Sequence, residues 1–434
     1  MQGAAPLPGT KMVAAKGMKK DREILVYADW ESLGGPVKMG TLTAIAAKGK
    51  EVFSFEYDEA WLQSGFYFML DPDLHLYSGR YFPTNDKQNF GLFLDSCPDR
   101  WGRVLMDRRE AIQAKKEARA PRRLIESDYL LGVFDEHRPG AIRFKTEAGG
   151  DFQNSSLQMT TPPWTSLREL EYACRLMEEE HATPADFDTW FNMLVAPASS
   201  LGGARPKASV LDPEGQLWIA KFPSTGDVNN IGGWEFVVHQ LAKKAGLNVA
   251  DGVAKKLSNK HHTYISKRFD RVNGKRLHFA SALTMLGYVD GDGHDTGVSY
   301  LEIAEFLMKH GSQTDSDLEE LWRRIVFSIC VKNTDDHLRN HGFLLMSDGW
   351  RLSPAYDINA NAFGEGLSLN ISEQDNSLSI ELAMSVAEYF RVKKTTADKI
   401  IAKVQKAVGG WRKEAKALGI PLVEQARMAS AFEQ

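Results

Sequence analysis

Apolar and polar positions alternate with a period of two along Val52-Phe53-Ser54-Phe55-Glu56-Tyr57, the pattern of a half-buried strand. Ile24-Leu25-Val26-Tyr27 and Met39-Gly40-Thr41-Leu42-Thr43 precede it as further short strands. Residues 90–109 lead into a basic helix carrying Lys115, Lys116, Arg119, Arg122 and Arg123. Its charge run reads as a solvated face, with a partner or DNA surface as the alternative. Gly140-Ala141-Ile142-Arg143-Phe144 closes this first region, and 148–163, rich in Gly, Ser, Thr and Pro, reads as a linker.

The pattern then changes. A helix is expected over 166–180, and a hairpin around Asp212-Pro213-Glu214-Gly215, where Pro at the second and Gly at the fourth position suit a type I turn. Residues 231–245 read as a helix stopped by Gly246, with Glu235, Val238 and Ala242 on one face. Thr263–Asp270 reads as a strand, and beyond it the chain is mainly helical. The clearest helix is 315–332, with Ser316-x-x-Glu319 as a capping box and Leu318, Leu321, Trp322, Ile325, Val326 and Ile329 as its buried stripe. Lysines 393, 394, 399, 403 and 406 fall on the solvent side of C-terminal helices.

Composition adds bounds rather than chemistry. With 434 residues, 43% hydrophobic and 25% charged, the chain has room for two or three soluble domains. A formal net charge of -4 gives no global reason for nucleic-acid binding. Cys97, Cys174 and Cys330 form no CxxC pair, which points to a reduced, cytoplasmic protein without a zinc site. The first 22 residues read as a flexible tail, and no run approaches the length of a membrane span.

Candidate chemistry concentrates between Asn333 and Asn359. Asp348-Gly349 between two apolar runs predicts a two-residue hairpin turn, so opposed residues have numbers summing to 697, as Asn340 and Asp357 do. Asp335, Asn340 and Asp357 are therefore expected to converge, Pro354 bending the second strand. Asp-x4-Asn followed by a further Asp is the spacing of a catalytic loop for phosphoryl transfer from ATP, which needs a carboxylate to accept a hydroxyl proton and oxygen ligands for Mg²⁺. The bland alternative is a polar loop capping its own backbone. Upstream, Ser199-Ser200-Leu201-Gly202-Gly203-Ala204-Arg205-Pro206-Lys207 meets neither the Walker A nor the Gly-x-Gly-x-x-Gly pattern. Its paired glycines still allow backbone N–H groups to approach a phosphate, with Arg205 and Lys207 adding charge. Lys221, in an otherwise apolar strand, either snorkels from an edge or points into a site. If it pairs with Glu235, the two reproduce the strand-lysine and helix-glutamate pair of kinases. His337 and His341 lack the intervening Glu motif of a zinc helix, and Asp290-Gly291-Asp292-Gly293-His294-Asp295 lacks the later ligands of a calcium loop.

Taken in order, Gly40-Thr41-Leu42, Phe53-Ser54-Phe55-Glu56-Tyr57, Trp61-Leu62, Pro98-Asp99-Arg100-Trp101-Gly102, Gly140-Ala141-Ile142-Arg143-Phe144, Gly202-Gly203-Ala204-Arg205-Pro206-Lys207, Ala220-Lys221-Phe222, Arg268-Phe269-Asp270-Arg271, Thr334-Asp335-x-His337-x-x-Asn340 and Tyr356-Asp357-Ile358 resemble the HipA family, kinase toxins of bacterial type II toxin–antitoxin modules. The resemblance implies an α+β, two-lobed, protein-kinase-like fold with an additional N-terminal β-rich subdomain and a mainly helical C-terminal lobe. The expected layout is a tail (1–22), an N-terminal subdomain (23–146), an ATP-binding lobe (147–266) and a helical catalytic lobe (267–434). By the same resemblance Asp335 is the catalytic base, Asn340 and Asp357 hold Mg²⁺, Lys221 contacts ATP phosphates, Phe269 lies in the adenine hinge, and Ser200 is the loop serine that becomes autophosphorylated. Lys267 departs from the pattern, since relatives can carry Glu there. The implied partners are a HipB-like helix-turn-helix antitoxin, operator DNA mainly through that antitoxin, and an aminoacyl-tRNA synthetase as protein substrate. Two other readings stay open: a catalytically weak co-repressor scaffold, and a small-molecule kinase.

Overall fold

The alternating run at 52–57 lies inside a five-stranded antiparallel sheet. Its strands are β1 (Arg22–Ala28), β2 (Val37–Ala47), β3 (Lys50–Tyr57), β4 (Arg80–Tyr81) and β5 (Ile142–Lys145), in the order β4-β3-β2-β1-β5. Phe53, Phe55 and Tyr57 are buried together against Phe90 and Phe93, while Val52 and Glu56 face outward. This computed structural model describes residues 21–47, 49–85, 87–155, 161–179 and 205–433.

Helix α1 (Arg100–Lys116) is capped by Asp99, whose carboxylate accepts from the Gly102 N–H at 2.8 Å. The basic segment that follows is not a continuation of the helix, because Ala118 turns left-handed at φ 51°. Arg119 and Arg122 fold back onto Glu110. Those two charges of the run are therefore paired within the chain.

A second sheet holds β6 (Lys207–Leu211), β7 (Leu217–Lys221), β8 (Gly252–Lys256) and β9 (His262–Lys267) in the order β6-β7-β9-β8. The β6–β7 turn is tied by Asp212, whose carboxylate accepts from the N–H groups of Glu214 and Gln216 and from the Trp218 indole. Helix α2 (Leu167–Glu178) packs on this sheet from one side, and α3 (Ile231–Ala245) reaches β9. Gly232 makes that approach possible: a Cβ there would sit 2.3 Å from the His262 carbonyl oxygen. Gly246, at φ 88°, ends α3 as its left-handed cap.

A third sheet, β10 (His278–Ser281), β11 (Gly342–Met346) and β12 (Gly349–Leu352), lies among helices that include α4 (Tyr300–His310), α5 (Thr314–Val331) and α6 (Lys394–Val408). Two expectations need correction here. Opposed residues of the β11–β12 hairpin sum to 695, not 697, since Met346 pairs with Gly349 and Phe343 with Leu352. The turn is Ser347-Asp348, and Gly349, at φ 140°, enters the strand against the His310 carbonyl. A shift of two in that sum keeps every side chain on its expected face, so the delivery of both ends to one place survives. The capping box at Ser316 is absent as well: α5 starts at Thr314, the Ser316 hydroxyl donates to the Gln313 carbonyl at 3.0 Å, and Glu319 pairs with Arg323.

The described residues form two apolar cores. One runs from Ile24 and Phe55 through Trp350 and Trp322 to Ile400. The other joins Trp101 and Leu105 of α1 to Leu170 and Cys174 of α2 and to Ala208, Ala220 and Ile265 of the second sheet. The first region is therefore packed into the body of the molecule at two places. Among the described residues no helix is long and apolar enough to cross a membrane.

Candidate active site

Strand β7 ends in Lys221, and register with β6 and β9 points its side chain toward α3. Its ammonium donates to Glu235 Oε1 and Asp357 Oδ1, both at 2.6 Å, which joins a strand, a helix and the loop after β12 through one nitrogen. The three side chains are 18%, 7% and 24% exposed, so water screens them little. Burial alone would push the lysine down, but Asp357 and Glu235 outweigh it and hold the proton on. Burial likewise pushes Asp357 up, yet Lys221, with Lys207 behind it, keeps that carboxyl below its ordinary range. Glu235 goes the other way, raised by burial against the pull of Lys221. One ammonium thus serves two carboxylates.

Asp357 has a left-handed backbone, φ 56°, unusual for a residue with a Cβ. The conformation is locked by what surrounds it. The Tyr356 hydroxyl donates to the Arg339 carbonyl at 2.7 Å, the Asn359 N–H to Asn333 Oδ1 at 3.1 Å, and the Asn361 side chain to Thr334 at 2.8 Å. These bonds sew the Asp357 segment to the loop that carries Asp335. Within that loop the Asn340 amide donates to the Asp335 carbonyl at 2.7 Å. Asp335 itself is exposed, whereas its neighbour Asp336 is buried and accepts from Tyr300 at 2.6 Å and Ser328 at 3.2 Å, with His341 3.1 Å away. Asp336 anchors the loop from below, and Asp335 is left facing out.

A narrow cleft of about 50 Å³ opens beside Lys221, lined by Ile219, Tyr264, Phe269, Phe279 and Tyr356. Phe269 packs its ring 5.5 Å from Tyr356 and 5.8 Å from Phe279. Such a mouth is well below the ~300 Å³ of a usual ligand pocket. A larger cavity of about 580 Å³ is walled by Pro98, Asp99, Arg100, Arg103, Leu283 and Arg339.

The other expected site residues divide into two groups. Ser200, Gly202, Gly203 and Ala204 lie outside the described residues. Arg205 is half-exposed and makes a bidentate pair with Asp227, one arm at 2.9 Å. Lys207, expected beside the phosphates, is 2% exposed and bonds Asp99 at 2.6 Å, since a buried ammonium needs a carboxylate and the start of α1 supplies one. Among the described residues no group of three or more His, Cys, Asp or Glu could hold a metal. The donors present are a different kind of set: the Asp357 carboxylate and the Asn340 amide oxygen, hard ligands that suit Mg²⁺ shared with a phosphate. Among the described residues both partners of Asp357 fall on Oδ1. That donor set fits a cation with few protein ligands.

Comparison with known proteins bears on this arrangement directly. Residues 199–411, which include Lys221, Glu235, Asp335, Asn340 and Asp357, match the family model of the HipA-like C-terminal domain. The chain belongs to the HipA family. Among curated relatives of this HipA-family chain, a putative kinase of Haemophilus influenzae is 27% identical over 134 residues, 28% of this chain and 39% of that protein. Putative kinase Y4dM of Sinorhizobium fredii is 29% identical over 157 residues, covering 33% and 37%, and putative kinase Y4mE of the same organism is 24% identical over 250 residues, covering 52% and 53%. The chain thus spans about two fifths to one half of the length of the curated relatives it matches. HipA from the Shewanella oneidensis complex of HipA, HipB and operator DNA superposes with a TM-score of 0.63 at 16% identity, over 94% of this chain and 95% of that one. The mixed α/β fold is shared across nearly the whole length.

Sequence reasoning missed Asp336, Tyr300 and His341 as the support of the Asp335 loop. The Thr334-Asp335-Asp336-His337 string contained one of them, Asp336, but only the fold shows which Asp turns in.

Proposed function

We propose that this HipA-family chain is an ATP- and Mg²⁺-dependent serine/threonine protein kinase and the toxin of a HipA–HipB-like module. The supporting observation is the 2.6 Å bridge from Lys221 to both Glu235 and Asp357, placed beside the Asp335–Asn340 loop. In this reading residues 147–266 form an ATP-binding lobe, 267–434 a helical catalytic lobe and 23–146 an N-terminal subdomain, in a cytoplasmic protein. Adenine lies against Phe269 in the cleft, and the phosphates extend toward Lys221, with Gly202, Gly203, Ala204 and Arg205 assigned to phosphate binding on the family resemblance. Because the cleft is narrow and Lys221 is engaged by Asp357, nucleotide entry has to part that contact.

Asn340 and Asp357 would hold Mg²⁺, which supplies charge neutralisation for the phosphates when bound. Glu235 keeps Lys221 aimed while its other partner is given up. Asp335 accepts the proton of the serine or threonine hydroxyl as that oxygen bonds to the γ-phosphorus, and the bond from phosphorus to the β,γ-bridging oxygen breaks with its electron pair leaving on ADP. Autophosphorylation of Ser200 would add about two negative charges where the triphosphate sits and so silence the enzyme. An antitoxin of the HipB type is proposed as partner because the Shewanella HipA is seen with HipB and operator DNA. An aminoacyl-tRNA synthetase is proposed as substrate on the family resemblance alone.

Incubation of the purified protein with γ-³²P-ATP, with and without Mg²⁺, followed by phosphosite mass spectrometry, tests the reading. Mg²⁺-dependent label on Ser200 or on an added synthetase is expected. Absence of transfer to any protein, with tighter operator binding by the antitoxin complex, would favour the scaffold instead.

A further inference from the structure

Beyond Asp357 the chain folds back onto the Asp335 loop and is fastened there residue by residue. The Asn361 N–H donates to the Lys332 carbonyl at 3.1 Å, and its side-chain amide donates to Thr334 Oγ1 at 2.8 Å. Ala362 is buried, and its carbonyl accepts from the Ser430 hydroxyl at 2.9 Å. Gly364 lies so close to Thr334 that a Cβ there would come within 2.3 Å of the threonine methyl. Ser368 adds a bond to the Thr334 carbonyl at 2.8 Å. Phe363 sits between these anchors, its N–H tied to Asn361 Oδ1 at 3.0 Å and its ring left in solvent. At 87% exposure it is the most open large apolar side chain among the described residues.

A lone exposed apolar residue needs no explanation by itself. What sets Phe363 apart is its place. One neighbour is held by Ser430 and the other packs on Thr334, so the ring is carried on fixed backbone one residue from a contact with the Asp335 loop. Two positions on, Glu365, Gly366 and Leu367 line a cavity of about 610 Å³ whose opposite wall includes Thr334, His337 and Leu338. This cavity shares no lining residue with the cleft beside Lys221, so a nucleotide and an acceptor can be held at once.

We propose that Phe363 is a specificity-determining residue for the protein substrate: its ring docks an apolar side chain of the segment that brings a serine or threonine to Asp335 through this cavity. The inference rests on the reading of the chain as a protein kinase with Asp335 as proton acceptor. A ring already fixed in place loses little freedom on binding, which is what makes aromatic residues effective anchors. An extended chain spans at most about 3.5 Å per residue, so the docked side chain is expected within roughly four residues of the acceptor.

The test uses the full chain with γ-³²P-ATP and Mg²⁺ on a positional-scanning library of serine and threonine peptides, for wild type, F363A and F363L. Wild type is expected to favour large apolar residues at one position within about four of the acceptor. F363A should lose that preference and raise KM for the favoured peptide roughly tenfold, while kcat falls less than about twofold and ATP affinity is kept; F363L should restore most of the preference and of the KM. An F363A preference and KM equal to wild type overturn the inference, as does a loss confined to kcat, which would mark a role in packing the loop. Label on Ser200 with none on any peptide also overturns it, yet leaves the kinase reading standing. No label on either sinks the kinase reading, and this inference with it.

Discussion

Among the described residues, the charge cluster around Asp135 and Asp270 and the one around Lys221 are built on opposite plans. At the seam between the first region and the body, Arg268 and Arg271 pair with Asp270 and Arg143 and Arg276 with Asp135, while the buried Arg138 donates to the Ser96 and Val133 carbonyls, and the surplus positive charge is absorbed by backbone carbonyls. Arg268 donates to the His137 carbonyl at 3.0 Å, Arg271 to that of Arg138 at 2.7 Å, and Arg276 to that of Asp135 at 2.8 Å. Asp270 also accepts from the Gly140 N–H at 2.8 Å, and despite burial its arginines hold it far below the ordinary carboxylate range. Around Lys221 the surplus is negative, and the carboxylates are not closed off by backbone donors in the same way. A cluster whose arginines are bonded to carbonyls of their own chain is a fastening, even with Asp135 Oδ1, Arg138 Nε and Arg276 Nη1 left without hydrogen-bond partners among the described residues, whereas one left with an excess carboxylate beside a cleft has room for a cation from outside. The difference separates structure from proposed chemistry without appeal to motif.

Breaking the fastening should have the largest effect on stability. Asp270→Asn leaves buried guanidinium groups uncompensated and is expected to lower unfolding free energy by roughly 3–5 kcal/mol, read from urea denaturation. A loss below about 1 kcal/mol would show that the carbonyls alone satisfy the arginines. Next comes a pH effect at the same seam. His278 is enclosed by Trp30 and Trp350, and burial pushes it down to about 3. Its folded value is below its unfolded one, so its contribution to stability is present above about pH 6.5 and is lost as pH falls toward the folded value, because only the unfolded chain takes the proton. Between pH 7 and pH 5 the loss from this residue is about 2 kcal/mol. His278→Phe should remove that part of the slope, and an unchanged slope would place the proton uptake elsewhere. The smallest stability effect is expected at the site. Glu235→Gln, in a cluster with a carboxylate to spare, should cost about 1 kcal/mol or less in unfolding free energy, while phosphoryl transfer falls roughly tenfold or more. Equal loss of stability at Glu235 and Asp270 would erase the distinction between the two clusters.

Local pattern carried much of this fold. The burial of Phe53, Phe55 and Tyr57 in β3, the span of α3 with its Gly246 stop, and the turn at Asp212 were all readable because each depends on residues within a few positions, whereas Ser54, buried as well, breaks the expected alternation. The β11–β12 register was misplaced because Asp-Gly is a common turn pair, whereas here Gly349 is needed one place later, where a Cβ would meet the His310 carbonyl at 3.0 Å. The start of α5 was set by Gln313 and Thr314 rather than by the Ser316 signal. In the candidate site, the Lys221, Glu235 and Asp357 grouping could be anticipated from spacing and family resemblance. The Asp99–Lys207 pair could not, because it joins two regions whose packing only the tertiary structure defines. Nor could the choice between Asp335 and Asp336, which turns on Tyr300 and Ser328 from two different helices.

The central claim is that the exposed Asp335 is the proton acceptor beside a lysine-centred nucleotide site. Its most direct test is phosphoryl transfer from γ-³²P-ATP measured alongside ATP affinity for wild type and Asp335→Asn. The account predicts affinity nearly unchanged and transfer reduced by on the order of 10²-fold or more. A variant that keeps most of its turnover would contradict it.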